Sequence, residues 1–217
     1  MYTLYASPRA CSMAPHIVLE ELEVRYKVSY VVIAEGATQT EEYTKINPHQ
    51  RVPALETEWG VLTELSAILF FLSEQHSAYN LTPPVNTPSR ARMYEMFSWL
   101  STTLHATGYA GLWRPERFHP KAELVAKDMS KTAHHTIEQA NREIEAGLNG
   151  QYVLGDQYTI LDPYLYVFFL WAHRIGIEVK SRYPKWTAWA ERMEKRHAVQ
   201  KMLSDEHIEG YFSKPVS

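Results

Sequence analysis

The sequence predicts an α/β domain with the element order βαβαββα, followed by an all-α helical bundle. Two observations carry this prediction. Short runs rich in β-branched and aromatic residues occur only before about residue 76, and helical periodicity dominates after a proline-rich stretch. We therefore expect an N-terminal domain over residues 1–80, a linker over 81–88 and a helical domain over 89–217.

The N-terminal elements follow from local patterns. Apolar residues at helical spacing between two β-type runs predict a strand–helix–strand unit with parallel strands. A short helix, a hairpin and a third amphipathic helix complete a small mixed sheet covered by helices. The predicted elements are strand Tyr2–Tyr5, a helix carrying Ala14 to Leu22, strand Arg25–Val32, helix Glu41–Ile46, strands Val52–Thr57 and Val61–Thr63, and helix Ser66–Gln75.

Beyond the linker no strand is predicted. The run Pro163–Trp171 is apolar on all sides, so its helix should be buried. Thr159 and Asp162 fit a capping-box variant at the start of that helix. The predicted helices are Ser89–Thr107, Pro120–Leu148, Asp162–Ile177, Pro184–Arg196 and Ala198–Ser204.

Composition excludes several classes of function. The net charge is −3 without a long basic block, so a nucleic-acid partner is not expected. The longest apolar run, 164–172, is far below the roughly 20 residues that span a bilayer, so no membrane partner is expected. A single cysteine cannot form an internal disulfide, and no signal peptide is apparent. We therefore expect a cytoplasmic protein.

Cys11 and Ser12 stand where the first predicted helix begins. Unpaired N–H groups and the helix dipole at that position favour a thiolate. This placement suits sulfur chemistry or the binding of another molecule's thiolate. The alternative is that Cys11 is a small buried apolar residue, as free cysteines often are.

Three local motifs occur in order along the chain: LYASPRACSMAPHI, then INPHQRVPALE with LTELSAILFFL, and finally LGDQYTILDPYL. In this order and at these separations they resemble the glutathione transferase superfamily, most closely its bacterial beta class. The resemblance implies a thioredoxin-like N-terminal domain, a homodimer, glutathione as co-substrate and no metal. It also favours a cis peptide bond between Val52 and Pro53, which the residues alone leave open.

The resemblance implies a set of site residues, with departures from the family pattern at three positions, one of them Ser98, where asparagine is usual. Leu65 stands where a serine usually binds the γ-glutamyl carboxylate, and Ala106 stands where a lysine usually follows the histidine. The implied catalytic residues are Cys11, Ser12 and His105. The implied glutathione contacts are Cys11, Arg51, Val52, Pro53, Glu64, Leu65, Ser66, Ser98, Thr102 and His105.

The acceptor pocket is expected in the helical domain. Tyr109, Trp113, Trp171 and Arg174 are candidates for its lining, although aromatic residues at helical spacing are more often core.

Two mechanisms and two classes of function remain open at this point. In one mechanism Cys11 forms a mixed disulfide with glutathione, which a second glutathione resolves. In the other, Ser12, Ser7 or the helix N-terminus holds a glutathione thiolate that attacks small hydrophobic electrophiles, as in detoxifying conjugation. The alternative to an enzyme is a noncatalytic binding or assembly module, which the residues at 65 and 106 favour.

Overall fold

The N-terminal domain is organised around a mixed four-stranded sheet with the strand order β2-β1-β3-β4. The structure is a computed structural model and describes residues 1–213. Strand β1 (Tyr2–Ala6) pairs in parallel with β2 (Tyr26–Tyr30) and antiparallel with β3 (Ala54–Thr57). Strand β3 continues into a hairpin with β4 (Gly60–Thr63), which forms the sheet edge.

Three helices accompany this sheet: α1 (Met13–Glu21), α2 (Glu41–Ile46) and α3 (Leu65–Gln75). The order βαβαββα is confirmed. The predicted strand over 52–57 begins two residues late, because Pro53 has no N–H for the ladder. The Val52–Pro53 peptide is cis, as expected from the resemblance.

The helical domain follows, and its first helix differs from a regular α-helix. Helix α4 begins after Thr87, whose hydroxyl accepts the Arg90 N–H at 3.2 Å, with Pro88 in the first turn. It then continues directly into a π-helical segment, which the sequence analysis treated as ordinary helix. The elements are α4 (Pro88–Trp99), the π-helical segment Leu100–Ala110, α5 (Gly111–Trp113), α6 (Ala122–Gly147), α7 (Leu161–Arg174), α8 (Val179–Arg182), α9 (Pro184–Glu194) and α10 (His197–Asp205).

Helix α7 forms the centre of the helical domain. Its residues from Leu161 to Phe169 are all buried, which confirms the prediction from its apolar run. The capping interaction is also present, since Asp162 accepts the Thr159 N–H at 2.8 Å and the Leu161 N–H reaches the Thr159 hydroxyl at 3.4 Å.

Helix α1 connects the two parts of the chain. On one side it contacts β1 and α3, and on the other it contacts α7 and α10. The loop that precedes α1 therefore lies where the sheet domain meets the helical domain, and this loop carries Cys11.

Candidate functional site

The loop between β1 and α1 places Cys11 against the segment that precedes β3. The Cys11 side chain is buried, and its S–H donates to the Val52 carbonyl oxygen at 3.5 Å. Tyr43 O–H and the Asn47 side-chain amide both donate to the Arg51 carbonyl, at 2.7 and 2.6 Å. These contacts fix the backbone on which the Cys11 thiol rests.

Ser12 holds this loop together and does not face the site. Its hydroxyl accepts the Ser7 N–H and donates to the Ser7 carbonyl, both at 3.1 Å, and its side chain is 0 % exposed. The Ser7 hydroxyl is itself buried and accepts the Ile33 N–H at 3.1 Å. The Ser12 hydroxyl, which was predicted to hold a thiolate, therefore donates its proton inside the loop, whereas the Ser7 hydroxyl only accepts there.

The thiol of Cys11 is neutral rather than activated. Burial raises its pKa to about 12, and the backbone N–H groups of Cys11 and Ser12 lower it by less than burial raises it. The Glu64 charge raises this pKa further, whereas the Arg117 charge lowers it. The expectation of a helix-stabilised thiolate is thus corrected for this structure, because desolvation outweighs the helix N-terminus.

The N-terminus of α3 forms a second part of the site. Glu64, directly before the helix, is exposed and adopts φ 68°, a backbone conformation that is uncommon for a residue other than glycine. Its carboxylate makes no capping bond to the helix. The first-turn N–H groups at Leu65 and Ser66 therefore stand beside a carboxylate that does not neutralise them, which suits a ligand with both an anion and an ammonium group.

A chain of hydrogen bonds connects α3 with the helical domain. The Ser66 hydroxyl contacts the Ser101 hydroxyl at 3.3 Å, and Ser101 contacts the hydroxyl of Tyr164 at 3.4 Å. The same Tyr164 hydroxyl lies 3.0 Å from His105 Nδ1. The helix N-terminus at α3 and the imidazole of His105 are therefore linked through Ser101 and Tyr164, two residues that the sequence analysis did not assign to the site.

His105 lies on the π-helical segment beside the aromatic side chains of α7. Its ring centroid is 5.2 Å from that of Trp171 and 5.9 Å from that of Phe168. Burial, followed by the charges of Arg117 and Arg51, lowers the pKa of His105 to about 4. His105 is therefore a neutral hydrogen-bonding group at neutral pH.

Arg117 is the charged residue that sequence reasoning missed. It lies in a short 3₁₀ turn, Pro115–Arg117, after α5, and its charge affects both Cys11 and His105. Burial and the charges of Arg51 and Arg114 lower its own pKa. Arg117 is thus the arginine whose charge acts on the buried thiol, and the only hint in the sequence is the pair of arginines in WRPER.

The four predicted pocket residues separate into two kinds. Tyr109 is fully buried, and its ring stacks on that of Phe168 at 5.8 Å, so its assignment to an open pocket is wrong. Trp171 is also buried and donates its indole N–H to the Arg9 carbonyl at 2.9 Å, which holds the Cys11 loop. Trp113 is half-buried, and the exposed Arg174 guanidinium lies 5.4 Å from its ring centroid, so these two remain accessible.

Ser98 and Thr102 are exposed and are not joined to the Cys11 group by hydrogen bonds within residues 1–213. The Thr102 hydroxyl donates to the Ser98 carbonyl at 2.8 Å, which is a bond within the helix. Arg51 is likewise exposed, although its backbone is anchored beside Val52.

None of the helices over residues 1–213 is long and apolar enough to cross a membrane.

Two protein-family models match parts of this chain. The N-terminal domain model of glutathione S-transferases matches residues 1–74, and the C-terminal domain model matches residues 124–192. The glutathione S-transferase GstA of Escherichia coli O157:H7 is 30% identical over 207 residues, which cover 94% of this chain and 98% of that protein.

Solved structures agree over nearly the whole chain. A glutathione transferase homologue from Sulfitobacter, crystallised with bound glutathione, has a TM-score of 0.88 at 31% identity, over 96% of this chain and 99% of that one. The beta class glutathione S-transferase of Sphingomonas chungbukensis has a TM-score of 0.77 at 29% identity, over 95% of this chain and 100% of that one. Together with the sheet order, the cis peptide before β3 and the helical second domain, these matches show that the chain belongs to the glutathione S-transferase family.

Proposed function

We propose that this chain is a glutathione transferase in which glutathione itself is the nucleophile toward small hydrophobic electrophiles. The observation that carries the proposal is the state of Cys11, a buried neutral thiol beside the Val52 carbonyl. Such a thiol is a hydrogen-bond donor rather than a nucleophile. The bound glutathione of the Sulfitobacter relative supports glutathione as the co-substrate.

Glutathione binds along the two elements that flank Cys11. Its extended peptide pairs with the backbone at Val52, before the cis Pro53, in the manner of an added strand. Its γ-glutamyl carboxylate takes the first N–H groups of α3, and its ammonium group takes the Glu64 carboxylate. Leu65 has no hydroxyl to bind the γ-glutamyl carboxylate. The Ser66 hydroxyl does not simply replace that contact, because it already bonds to Ser101.

The remaining contacts are with charged and exposed groups. Arg51 is exposed next to Val52 and suits the second carboxylate of glutathione. Ser98 and Thr102 reach glutathione through exposed side chains. We assign the acceptor pocket to Trp113 and Arg174, over the arginine-rich segment that contains Arg117.

The chemistry follows from where charge develops. The glutathione thiol releases its proton to solvent. The Cys11 S–H, which donates to the Val52 carbonyl in this structure, turns to donate to the glutathione thiolate when the glutathione peptide occupies that carbonyl, and the positive charge of Arg117 stabilises the thiolate further. The thiolate sulfur then forms a bond to the electrophilic carbon of the acceptor, and the leaving group departs with the electron pair. His105, neutral and held by Tyr164, orients the sulfur end of the site.

A second candidate reaction is thiol–disulfide exchange through Cys11. The proximity of this thiol to the Val52 carbonyl favours it, because the cysteinyl part of glutathione pairs there. A Cys11 thiolate would attack the glutathione sulfur of a mixed disulfide between glutathione and an acceptor thiol, form a Cys11–glutathione disulfide and release the acceptor thiolate. The thiolate of a second glutathione would then attack that disulfide, release the Cys11 thiolate and leave as glutathione disulfide. The raised pKa of Cys11 opposes this route.

Two measurements test the proposal. Steady-state conjugation of glutathione to a chloronitrobenzene should be detectable in the wild type and should persist, with lower kcat, in Cys11→Ser. Incubation with glutathione disulfide should leave the intact mass of the folded protein unchanged. A single glutathione adduct absent from Cys11→Ala and blocked by an S-alkylated glutathione would establish exchange instead. Binding of glutathione without turnover in either assay would support the noncatalytic module.

We also propose that the protein is a cytoplasmic homodimer that acts in detoxification. Large apolar side chains remain exposed on the single chain near the sheet edge and on α4, among them Trp59, Val61 and Tyr94. Sedimentation equilibrium should give twice the chain mass, and a monomer at all concentrations would contradict the dimer.

A further inference from the structure

A second cluster of titratable side chains lies between α1 and the end of α10 and shares no residue with the glutathione site. His16 and Glu20 stand one turn apart on α1, so they face the same direction. They meet Asp205, the last residue of α10. One ring nitrogen of His16 and one carboxylate oxygen each from Glu20 and Asp205 all lie within 4.8 Å of one another.

The orientation of His16 points to a ligand. Its side chain is 0 % exposed, and Nδ1 lies 2.8 Å from a carboxylate oxygen of the buried Glu206. A proton on Nδ1 donates to that oxygen and leaves the lone pair on Nε2. Within residues 1–213 Nε2 has no hydrogen-bond partner, although buried polar atoms nearly always have one. In metal-binding histidines, one ring nitrogen typically donates to a carboxylate while the other offers its lone pair to the metal, and His16 has this arrangement.

The dimensions of the cluster fit a small dication after side-chain adjustment. His16 Nε2 lies 3.8 Å from Asp205 Oδ2, and tetrahedral zinc with bonds of about 2.1 Å places its ligand atoms roughly 3.4 Å apart. Glu20 and Asp205 are half-buried and line an open groove of about 570 Å³. Rotation about the side-chain bonds of these two carboxylates is the adjustment that zinc would require.

Two protein groups compete with a metal ion for these carboxylates. The Lys201 ammonium contacts Asp205 Oδ2, and the Tyr26 hydroxyl contacts Glu20 Oε1. Lys201 is partly exposed and carries a flexible side chain, so a dication displaces it into solvent. One imidazole with two carboxylates favours zinc over magnesium or calcium, which prefer oxygen ligands alone.

We propose that His16, Glu20 and Asp205 bind one Zn²⁺ per chain, with Glu206 orienting His16 and water completing the coordination. The bound ion connects α1 with the last helix of the described chain, and it is independent of the glutathione reaction. The sequence analysis expected no metal, because the ligands lie at opposite ends of the chain and match no spacing motif.

The test is calorimetric titration of Zn²⁺ into the chelator-treated full chain, in parallel with Cys11→Ala to exclude binding by the thiol. One ion per chain is expected in both proteins. Glu20→Gln and Asp205→Asn should weaken binding at least about tenfold, Glu206→Gln should weaken it about 10- to 100-fold, and Lys201→Gln should strengthen it. Asp128→Asn is the matched control, because Asp128 also pairs with a lysine but lies on α6.

A second measurement does not depend on the folding of the carboxylate variants. X-ray absorption of zinc-loaded Cys11→Ala should show one imidazole and otherwise oxygen ligands. The proposal is overturned by the absence of stoichiometric binding in the wild type, by loss of the site in Cys11→Ala, or by equal affinity in Asp205→Asn and Asp128→Asn. Coordination of the zinc ion without an imidazole ligand would also overturn it.

Discussion

At the scale of single residues, the burial of Cys11 decides how its sulfur behaves. The thiol is only 8 % exposed, and a pKa of about 12 instead of 9.0 means a thiolate fraction about a thousandfold smaller at neutral pH. The backbone N–H groups at the start of α1 and the Arg117 charge act in the opposite direction but do not compensate. Cys11 is therefore a hydrogen-bond donor.

This state predicts slow alkylation. We expect iodoacetamide to label Cys11 in the folded protein at least about tenfold more slowly than a free cysteine peptide, because only the thiolate reacts and its greater nucleophilicity offsets only part of its lower fraction. The measurement is the time course of the intact mass, with the urea-unfolded chain as control. Labelling of the folded protein at the rate of the unfolded chain would show that the thiol is activated, and the exchange reaction would then become the leading mechanism.

His105 provides a second prediction at this scale. Burial lowers its pKa to about 4, so the folded protein binds the His105 proton less readily than the unfolded chain does. The stabilisation associated with neutral His105 is therefore complete above the ordinary histidine pKa of about 6.5 and is lost as the pH falls toward 4.

For catalysis, the same shift means that His105 does not titrate at the pH where the enzyme works. We expect the kcat/KM profiles of the wild type and His105→Gln to have the same shape between about pH 5.5 and about pH 8 and to differ only in height. An inflection between about pH 6 and about pH 7 that disappears in His105→Gln would show that the histidine acts as a charge or as a general base.

At the scale of elements, helix α7 is held by an aspartate that does more than cap it. Asp162 accepts the Thr159 N–H within the capping box, and it also accepts the Val153 N–H at 3.0 Å and the Trp189 indole N–H at 3.1 Å. The same carboxylate therefore fixes the preceding loop and α9 against the start of the most buried helix.

Removal of this carboxylate should be costly. We expect Asp162→Ala to lower the free energy of unfolding by about 3 kcal/mol or more, because it leaves several buried N–H groups without an acceptor. Urea unfolding of Asp162→Ala beside Asp156→Ala measures this, since Asp156 is exposed and lies in the same loop. If the free energy of unfolding falls by less than about 1 kcal/mol, Asp162 contributes no more than an ordinary exposed helix cap.

The elements also show what local sequence patterns reveal and what they leave out. The hairpin β3–β4, the capped α7 and the order βαβαββα each follow from residues close together in the chain, and each is confirmed. The π-helical segment is different, because LSTTLHATGYA has ordinary helical periodicity and nothing in its letters marks the wider turn. That segment determines the position of His105. The sequence therefore identifies His105 as a candidate site residue but does not indicate which side chains surround it.

At the scale of the whole molecule, the candidate site is a product of the contact between the two domains. Tyr109 is buried by elements distant in sequence, and Ser101, Tyr164 and Arg117 were missed because they too reach the site through tertiary packing. A family motif identifies which residues are present near the thiol. Only tertiary packing determines which side chains are used internally and which remain accessible to a ligand.

The Tyr164 hydroxyl takes part in the hydrogen bonds that join the two domains at this site. Its hydroxyl contacts Ser101, which contacts Ser66 at the start of α3, and it also lies 3.0 Å from His105. On the proposed binding mode, α3 holds the γ-glutamyl end of glutathione and His105 lies at the sulfur end. Removal of the Tyr164 hydroxyl should therefore disturb both ends of the bound glutathione.

We expect Tyr164→Phe to lower kcat/KM about tenfold and to reduce the free energy of unfolding by roughly 1 kcal/mol, the usual net value of a buried hydrogen bond. Tyr183→Phe is the matched control, because Tyr183 is also buried and its hydroxyl has no partner within residues 1–213. If the chain of hydroxyls acts as a unit, the effects of Ser66→Ala and Tyr164→Phe on glutathione binding should be clearly less than additive. Full additivity, with equal kcat/KM in Tyr164→Phe and Tyr183→Phe, would show that the two ends of the site function independently.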